Sequence, residues 1–324
     1  MTILVPGGAG YIGSHAVRAL TSAGFDCVIY DNLSEGHREA VKGFELIEGD
    51  LLDSEKLEQV FKNRKIDGVV HFAAFALVGM SMKDPLEYYR NNVIGTHNLL
   101  TAMRNAGVKN IVFSSTCATY GNVEQSPITE DFLTQPCNPY GETKLAVEKM
   151  LKWCDVAYNI KYVCPRYFNA AGAMPDGSIG EDHKLETHLI PLVYRSILKN
   201  EVLSVFGNDY PTEDGSCVRD YIHVCDLADA HVLALKYLFN GGSSMPVNLG
   251  TEQGVSVFEI IKTAEEVSGK KVNYTIAPRR AGDPAVLVAD ASFAKEKLGW
   301  SAKRGLKEIM ADAWNWHKNN SERY

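Results

Sequence analysis

Short apolar runs alternate with segments of helical periodicity through the first half of the chain. The apolar runs end near Pro6, Tyr30, Ile47, Phe72, Phe113 and Pro165. Segments with apolar positions at helical spacing lie between them, over residues 11–23, 53–63, 86–106 and 140–158. Strands that alternate with helices in this way predict an α/β fold, in which a doubly wound parallel sheet carries helices on both faces.

The composition of the sequence changes after Arg166, where glycine and proline become frequent. The regular alternation of apolar runs with segments of helical periodicity also ends there. This change predicts a first domain over residues 1–168 and a second, smaller, loop-rich α/β domain over residues 169–324. The run at 247–250 predicts a late strand that could return to the first domain. Ligands of doubly wound sheets bind beyond the carboxyl ends of the strands. We therefore expect the second domain to bind the substrate and to enclose it against that edge.

Three glycines, Gly7, Gly10 and Gly13, directly follow the first apolar run. This pattern is typical of a strand-to-helix turn that approaches the pyrophosphate of a dinucleotide. The next apolar run ends in Asp31, 18 residues after Gly13. An acid there hydrogen-bonds the adenosine ribose and repels a 2′-phosphate, and no Lys or Arg follows at once. The pattern favours a Rossmann-type domain that binds NAD rather than NADP, over a tight turn that binds nothing.

Composition and charge narrow the choice of partners. The chain has 324 residues, of which 45% are hydrophobic and 23% charged, as in globular proteins. A net charge of −7 argues against a nucleic-acid partner. Seven cysteines without a Cys-x-x-Cys motif indicate reduced thiols and a cytoplasmic location. No basic segment precedes the first apolar run, and the longest apolar stretch, 69–78, is too short to cross a bilayer. We therefore expect neither a signal peptide nor a membrane partner.

The histidines argue against a metal site. There are nine, and no His-Glu-x-x-His motif occurs among them. His183 and His188 are five residues apart, whereas a spacing of four residues would place both side chains on one face of a helix. We therefore expect no bound metal.

A tyrosine and a lysine are the candidate catalytic groups. Tyr140 and Lys144 are four residues apart in a predicted helix and so share a face. A nearby ammonium group favours the phenolate and lowers the pKa of the tyrosine, as does an oxidised nicotinamide, which makes Tyr140 a usable general base. The strand predicted at 111–113 ends in Ser114, Ser115 and Thr116, and Thr116 is the candidate for holding the substrate oxygen. Each feature also arises by chance, but their order after the nucleotide turn favours catalysis.

With these motifs the chain resembles the extended short-chain dehydrogenases/reductases, and closely the UDP-glucose (UDP-galactose) 4-epimerase family among them. The resemblance covers nearly the whole length. Its motifs lie at 7–13, 31–33, 49–51, 71–74, 87–93, 166–169, 206–210, 219–224 and 277–283. The last two stretches are much more specific than the cofactor turn, because reductases at large do not share them.

The resemblance implies a role for each of a larger set of residues. The catalytic residues would be Tyr140, Lys144 and Thr116. The cofactor-binding residues would be Gly7, Gly10, Tyr11, Ile12, Gly13, Asp31, Asn32, Asp50, Leu51, Phe72, Ala73, Ala74, Asn91, Ser114, Tyr140, Lys144, Tyr167 and Phe168. The residues that bind the UDP-hexose would be Thr116, Asn169, His188, Leu189, Ser204, Phe206, Arg219, Tyr221, Leu287, Arg280 and Asp283. Arginines at 219 and 280 suit a diphosphate, and an aromatic ring at 206 or 221 can stack on uracil. The alternative for both arginines is an ordinary ion pair with Asp220 or Asp283.

The implied reaction is inversion at C4 of a UDP-hexose, which interconverts UDP-galactose and UDP-glucose. Tyr140 would take the 4-hydroxyl proton while hydride passes to tightly bound NAD and then returns to the opposite face of the sugar. Three positions depart from the family pattern. Ala76 replaces a lysine near the nicotinamide, which bears on how firmly NAD is held. His188 replaces an asparagine that is frequent in the sugar pocket. Leu287 replaces a tyrosine of some members, so UDP-GlcNAc and UDP-GalNAc could also fit.

Competing interpretations remain at this point. A 4,6-dehydratase needs a carboxylic acid pair after the strand-end threonine, where this chain has Cys117 and Ala118. A UDP-pentose or other nucleotide-sugar 4-epimerase stays open. The alternative from another class is a non-catalytic NAD-sensing regulator, against which Tyr140 and Lys144 argue. The resemblance also implies a homodimer through the helices at 86–106 and 140–158, although their apolar faces could instead be core.

Overall fold

Fourteen strands and eleven helices form within the part of the chain that the structure, a computed structural model, describes: residues 1–123, 125–280 and 282–323. Ala281, within the 277–283 motif, lies outside the described residues. The strands are β1 (Thr2–Pro6), β2 (Asp26–Asp31), β3 (Glu45–Glu48), β4 (Gly68–His71), β5 (Asn110–Phe113), β6 (Ser115–Thr116), β7 (Lys161–Tyr167), β8 (Asn169–Ala171), β9 (Leu203–Phe206), β10 (Val218–His223), β11 (Met245–Leu249), β12 (Gly254–Ser256), β13 (Tyr274–Ala277) and β14 (Val286–Leu287). The helices are α1 (Tyr11–Ser22), α2 (Ser54–Asn63), α3 (Val78–Ser81), α4 (Pro85–Tyr88), α5 (Gly95–Ala106), α6 (Pro139–Tyr158), α7 (Leu189–Lys199), α8 (Val224–Phe239), α9 (Val257–Ser268), α10 (Ser292–Leu298) and α11 (Leu306–Asn319).

The large sheet has the strand order β11-β7-β5-β4-β1-β2-β3, and β6 pairs with β7 beyond the end of β5. Every pairing in it is parallel. Apolar residues of α1 and α8 pack on one face of the sheet, and those of α2, α5 and α6 pack on the other. Both faces of the strands are therefore buried, which explains their continuous apolar runs. The predicted doubly wound parallel α/β fold is confirmed.

A second, smaller region follows the large sheet. In it β10 pairs with β12, β14 and β8, while β9 pairs with β13. Helices α7, α9 and α11 pack around a separate apolar cluster that includes Val193, Ile260 and Met310. The carboxyl end of β8 brings this region to the glycine turn, where the carbonyl oxygen of Gly172 accepts from the hydroxyl of Tyr11 at the start of α1.

The predicted boundary between residues 168 and 169 does not describe the packing completely. Strand β11 pairs with β7, from Met245 beside Val163 to Leu249 beside Tyr167. Helix α8 packs on α1, and α10 packs on both β11 and α8. Elements that follow residue 168 thus belong to the large sheet and to the helices that pack on it. We propose that the first domain consists of residues 1–168 together with α8, β11 and α10, and that the remaining elements form the second domain.

The helix predicted at 86–106 is interrupted. Helix α4 passes into a π-helix over Tyr89–Ile94 before α5 begins. Inside this π-helix Asn92 is buried; its Oδ1 accepts from the N–H of Phe75 at 2.8 Å, and its Nδ2 donates to Thr143 Oγ1 at 3.0 Å. Such wide turns occur often at functional sites, and this one turns the neighbouring Asn91 towards a cleft. Hydrophobic periodicity alone gives no sign of it.

Among the residues whose structure is described, none of the helices combines the length and the apolar character that crossing a membrane requires.

Candidate functional site

In the glycine turn between β1 and α1, side chains are excluded by close backbone contacts and, at one position, by a positive φ. Gly7 has a φ of +76°, and a Cβ there would lie 2.3 Å from the backbone nitrogen of Ala73 at the end of β4. A Cβ at Gly13 would lie 2.2 Å from the carbonyl oxygen of Gly7. The turn, the start of α1 and the end of β4 can therefore pack closely.

Gly10 has a different role. A Cβ there would meet only the carbonyl oxygen of Gly7, at 3.4 Å, and otherwise open space. Gly10 is the N-cap of α1, whose first backbone N–H groups have no acceptor within the helix. Those donors, and the positive end of the helix dipole, favour an anion bound beside Gly10.

A cleft that is open to solvent lies beside this turn. Ten of the residues predicted to bind the cofactor line it, namely Gly7, Gly10, Asp31, Asn32, Asp50, Leu51, Phe72, Ala73, Ala74 and Asn91. Six further residues line it that sequence reasoning missed, namely Tyr30, Ser34, Glu35, Gly36, Gly49 and Phe75. Of these, Gly49 could have been recognised from the sequence, because it lies in the 49–51 motif. The structure explains why this residue is a glycine, since a Cβ there would lie 2.5 Å from the ring of Tyr30.

Asp31 ends β2 at the rim of this cleft. Its Oδ2 accepts from the N–H of Ala9 at 2.9 Å, and its Oδ1 accepts from the N–H of Leu33 at 2.8 Å. Burial raises the pKa of Asp31, while these two hydrogen bonds lower it. The fixed carboxylate can accept ribose hydroxyls, and none of the described lining residues is a lysine or arginine that would attract a 2′-phosphate. The cleft thus fits a dinucleotide without that phosphate.

Tyr11, Ile12 and Gly13 form the first turn of α1, where their backbone N–H groups are the groups available to a bound phosphate. The hydroxyl of Tyr11 instead donates to the carbonyl oxygen of Gly172 at 2.7 Å. Its ring packs edge-on against His15 and His183, at centroid distances of 5.4 and 6.4 Å. The predicted contribution of Tyr11 to phosphate binding therefore rests on its backbone N–H and not on its side chain.

The candidate catalytic residues lie together where β6 ends and α6 begins. The side chain of Asn138 caps α6 by accepting from the N–H of Gly141 at 2.9 Å, which fixes the first turn that carries Tyr140. The Nζ of Lys144 donates to the carbonyl oxygen of Ser114 at 2.8 Å and lies 5.9 Å from the centre of the Tyr140 ring. Thr116 is close enough to Tyr140 for hydrogen bonding between their hydroxyls to lower the pKa of the tyrosine.

Electrostatics in this cluster differ from the expectation that Lys144 lowers the pKa of Tyr140. Burial, and then the neighbouring Tyr167, raise the pKa of Tyr140 above its ordinary value. Burial also lowers the pKa of Lys144 to about 7, against which Cys164 and Glu148 act only weakly. Lys144 is therefore only partly charged at neutral pH. The expectation that Lys144 lowers the pKa of Tyr140 therefore needs correction for the chain without bound cofactor. It neglected the desolvation of the lysine, which favours the neutral amine.

A buried polar network anchors α6 to the sheet, and sequence reasoning missed it. Glu148 accepts from the Nε of Arg166 at 3.0 Å and from the hydroxyl of Ser115 at 2.5 Å. Arg166 also donates to Tyr120, whose hydroxyl donates in turn to Asn248 at 2.7 Å. Glu148 lies one turn after Lys144, so the network fixes the helix close to the catalytic cluster. An acid one turn beyond Lys144, on the same helix face, was the available signal.

The predicted substrate residues are spread over several elements, and those on β9, β10 and the segment between β13 and β14 come first. The guanidinium carbon of Arg280 lies 3.9 Å from the centre of the Phe206 ring, and Ser204 shares the outward face of β9. Arg219 donates to the carbonyl oxygens of Val218 and Pro284, at 2.9 and 2.8 Å, and its Nη2 lies 3.6 Å from Asp283. A loose ion pair therefore does exist, and Asp283 is its partner.

Asp220 is not available to either arginine. It is fully buried and accepts hydrogen bonds from Thr251 and from the N–H groups of Glu252 and Ala289. Its carbonyl oxygen accepts from Asn169 at 3.1 Å, which pairs β8 with β10 beside Tyr221.

Phe168 and Leu287 pack in one apolar cluster. In the same region, Ser114 and Tyr167 share a hydrogen bond of 2.5 Å at the end of β7. These positions connect the substrate side of the site with the Tyr140 cluster.

His188 and Leu189 mark the start of α7. His188 caps the helix through its backbone, and its imidazole meets the carboxylate of Glu181. The segment 181–188 forms a loop, so the helical spacing used to argue against a metal site does not apply to it. The loop brings Glu181, His183, Glu186 and His188 together, with one potential ligand atom of each within 4.8 Å of the others.

Comparison with known proteins identifies the family. The sequence model of the NAD dependent epimerase/dehydratase family matches residues 3–250. The chain belongs to this family. The cofactor prediction is confirmed at this level, because NAD-dependent epimerases and dehydratases are the proteins that the model describes.

Within the NAD dependent epimerase/dehydratase family, the similarity to some members extends over the whole chain. The UDP-glucose 4-epimerase of Lacticaseibacillus casei is 53% identical over 99% of this chain and 98% of that protein. A crystal structure of a UDP-glucose 4-epimerase superposes with a TM-score of 0.98 at 52% identity, covering 100% of this chain and 99% of the other. The UDP-glucose 4-epimerase of Brucella ovis, solved in complex with NAD, superposes with a TM-score of 0.95 at 48% identity over 97% of each chain.

Proposed function

We propose that the protein is a UDP-glucose 4-epimerase that interconverts UDP-galactose and UDP-glucose with tightly bound NAD. The observation that carries the proposal is the identity of about half of all positions with such an epimerase over nearly the full length of both chains. The clustering of Thr116, Tyr140 and Lys144 near the cleft supports it, because a sensor would not need these groups.

The residues that line the cleft would hold NAD, with Asp31 on the adenosine ribose and the first turn of α1 on the pyrophosphate. When bound, NAD supplies the acceptor and donor of the hydride at C4. Tyr140 acts as the general base: its Oη takes the proton of the 4-hydroxyl group and later returns it. Thr116 orients the sugar oxygen by hydrogen bonding, and Lys144, fixed by the carbonyl group of Ser114, orients the cofactor.

The UDP moiety is held away from the reacting carbon. Arg219 is the better prepared of the two arginines, because two carbonyl groups already fix its guanidinium group. Arg280 lies over the Phe206 ring, so it must move if uracil is to stack on that ring. Asn169, Tyr221 and the remaining predicted substrate residues line the same side. Binding energy from the nucleotide lets the sugar be held loosely enough to present either face.

The substituents at C2 and C5 of the sugar are the open part of the proposal. Leu287 is partly buried beside Phe168, and a leucine leaves more room there than a tyrosine would. UDP-GlcNAc and UDP-GalNAc are therefore further candidate substrates. A UDP-pentose 4-epimerase is the alternative enzyme, and a panel of UDP-sugars distinguishes these options.

The test is to incubate the purified protein with UDP-galactose carrying deuterium at C4, with no NAD added. We expect UDP-glucose that retains the deuterium, because the hydride leaves and returns without exchange with solvent. The Tyr140→Phe variant is the control for contaminating activity. Absence of any product would refute the proposal and favour a sensor, whereas a dehydrated 4-keto sugar would indicate a dehydratase.

We further propose a cytoplasmic homodimer. Helix α6 packs against α4 and the π-helix, and these neighbouring elements expose large apolar side chains. Leu86, Ile94, Trp153 and Val156 are 80%, 51%, 67% and 74% exposed. An exposed apolar patch of this kind marks an interaction surface. Trp153→Glu should give a monomer by light scattering, and a wild-type protein that is already monomeric at micromolar concentration would refute the dimer.

A further inference from the structure

The loop that precedes α7 concentrates metal-binding groups that take no part in the proton and hydride transfers of the proposed reaction. Glu181 offers Oε1, Glu186 offers Oε2, and His183 and His188 both offer Nδ1. One potential ligand atom of each residue lies within 4.8 Å of those of the other three. We propose that this quartet, Glu181, His183, Glu186 and His188, binds a structural zinc ion.

The separations between the donor atoms suit such an ion. Zinc holds nitrogen and oxygen ligands at about 2.0–2.2 Å in a tetrahedron, so neighbouring ligand atoms are about 3.4 Å apart. The Nδ1 of His183 lies 3.5 Å from Glu181 Oε1 and 3.3 Å from Glu186 Oε2. The other oxygen of Glu186, Oε1, lies 3.9 Å from the Nδ1 of His188, so this carboxylate stands beside both histidines. The contact between His188 and Glu181 is shorter and would open on binding.

The charge and burial of the two glutamates also suit a divalent cation. The side chains of Glu181 and Glu186 are only 4% and 3% exposed, so their charge needs compensation. His183 and His188 supply it when they are protonated, and a divalent cation would supply it when they bind as neutral ligands. A divalent cation with two carboxylates and two neutral imidazoles gives a neutral site. Imidazole nitrogens favour zinc over calcium or magnesium, which prefer oxygen ligands alone.

The loop is held in place by contacts independent of the quartet. The indole N–H of Trp316 donates to the carbonyl oxygen of Glu181 at 3.0 Å, and the imidazole of His37 meets the carbonyl oxygen of Asp182 at 3.0 Å. Glu186 Oε1 accepts from the N–H of His188 at 2.8 Å, which leaves Oε2 directed at His183. The backbone therefore presents the four donors together, as a metal site requires.

The position of the quartet suggests what the ion would do. His183 packs against the ring of Tyr11 in the first turn of α1, and His188 caps α7. A zinc ion would thus fix the start of α7 relative to the nucleotide turn. It would take no part in moving protons or hydride, so its presence is separable from the proposed function.

The test is to measure zinc in the purified protein by mass spectrometry after dialysis without chelator, and to titrate chelator-treated protein with Co²⁺. We expect about one zinc per chain and the intense visible absorption of tetrahedral Co²⁺. Loss of the hydrogen-bond partner of a metal ligand weakens metal binding by roughly 10–100-fold. Because His183→Gln removes a ligand itself, it should weaken zinc binding by more than that. His37→Gln, a histidine on the same loop contact but outside the quartet, should bind as wild type.

The readouts are independent of turnover and of UDP-sugar binding. Protein that retains no zinc and gives no Co²⁺ spectrum would refute the site, leaving the quartet as a closed network of ion pairs. Unchanged metal affinity in His183→Gln would refute it equally. If His183→Gln does not fold by circular dichroism, Glu186→Gln removes a second donor and serves the same test.

Discussion

Replacing Gly10 and Gly13 by alanine, one at a time, should separate two roles within the glycine turn. Gly10→Ala should leave stability unchanged but reduce NAD binding. The backbone at Gly10, with φ −77° and ψ 177°, suits alanine, and the nearest atom to an added Cβ is 3.4 Å away. Gly13→Ala should destabilise the fold itself, because its Cβ would lie 2.2 Å from the carbonyl oxygen of Gly7.

The magnitudes follow from these contacts. At Gly10 the gain of about 0.4–1 kcal/mol from restricting the unfolded chain is offset by the roughly 0.5–1 kcal/mol that glycine is worth over alanine at an N-cap. Overpacking costs about 1–3 kcal/mol in general and about 2–3 kcal/mol at Gly13, where the added Cβ meets backbone atoms, and the higher helix propensity of alanine returns about 1 kcal/mol. We therefore expect no net change for Gly10→Ala, and a net loss of about 1–2 kcal/mol for Gly13→Ala. NAD content should fall at least about tenfold in Gly10→Ala, equivalent to about 1.4 kcal/mol.

Urea unfolding measures the first quantity, and NAD released from denatured protein measures the second. Gly305→Ala is a matched control, because Gly305 is also an N-cap, with φ −91° and ψ −177°, and has no heavy atom within 4 Å of an added Cβ. It lies at the start of α11, outside the residues that line the cleft. Wild-type NAD content in Gly10→Ala would refute the assignment of the pyrophosphate position, and wild-type stability in Gly13→Ala would refute the steric argument.

Three further outcomes test the remaining assignments. Tyr140→Phe should lower turnover about 10²–10⁴-fold while UDP-sugar binding, measured by calorimetry, survives; near-normal turnover would end that assignment. Burial lowers the pKa of Lys144 from 10.5 to about 7, so between these pH values the unfolded state holds a proton that the folded state lacks. The free energy of unfolding of NAD-free protein should therefore rise from pH 7 to pH 10 more steeply than in Lys144→Met, and equal slopes would contradict this. Leu287→Tyr should reduce any turnover of N-acetylated UDP-sugars more than that of UDP-glucose, and equal losses would show that Leu287 does not set pocket size.

The parts of the site that sequence reasoning anticipated depend on local geometry. Gly10 and Asp31 are recognisable because a strand-to-helix turn and the end of the next strand lie at fixed positions along the chain. Tyr140 and Lys144 are recognisable because one helical turn joins them. In each case the structural constraint acts between residues that are close in the sequence, so it can be recognised as a motif.

The parts that were missed depend on contacts between distant segments. Glu148 meets Arg166 only because α6 packs on β7, and Asn92 meets Thr143 only because a π-helix widens a turn. His183 and His188 converge through a loop whose path no periodicity encodes. Their spacing argued against a metal only on the assumption of a helix.

The protonation of the Tyr140 cluster connects the fold to the proposed chemistry. Burial favours the neutral form of both partners: it raises the pKa of Tyr140 and lowers that of Lys144. A phenolate in this pocket therefore requires a further positive charge close to the Tyr140 hydroxyl group, because hydrogen bonding from Thr116 lowers the pKa too little to overcome burial. The oxidised nicotinamide carries such a charge, and a reduced one does not. Tyr140 would thus be a base only while the cofactor can accept hydride, so that proton removal and oxidation at C4 occur together.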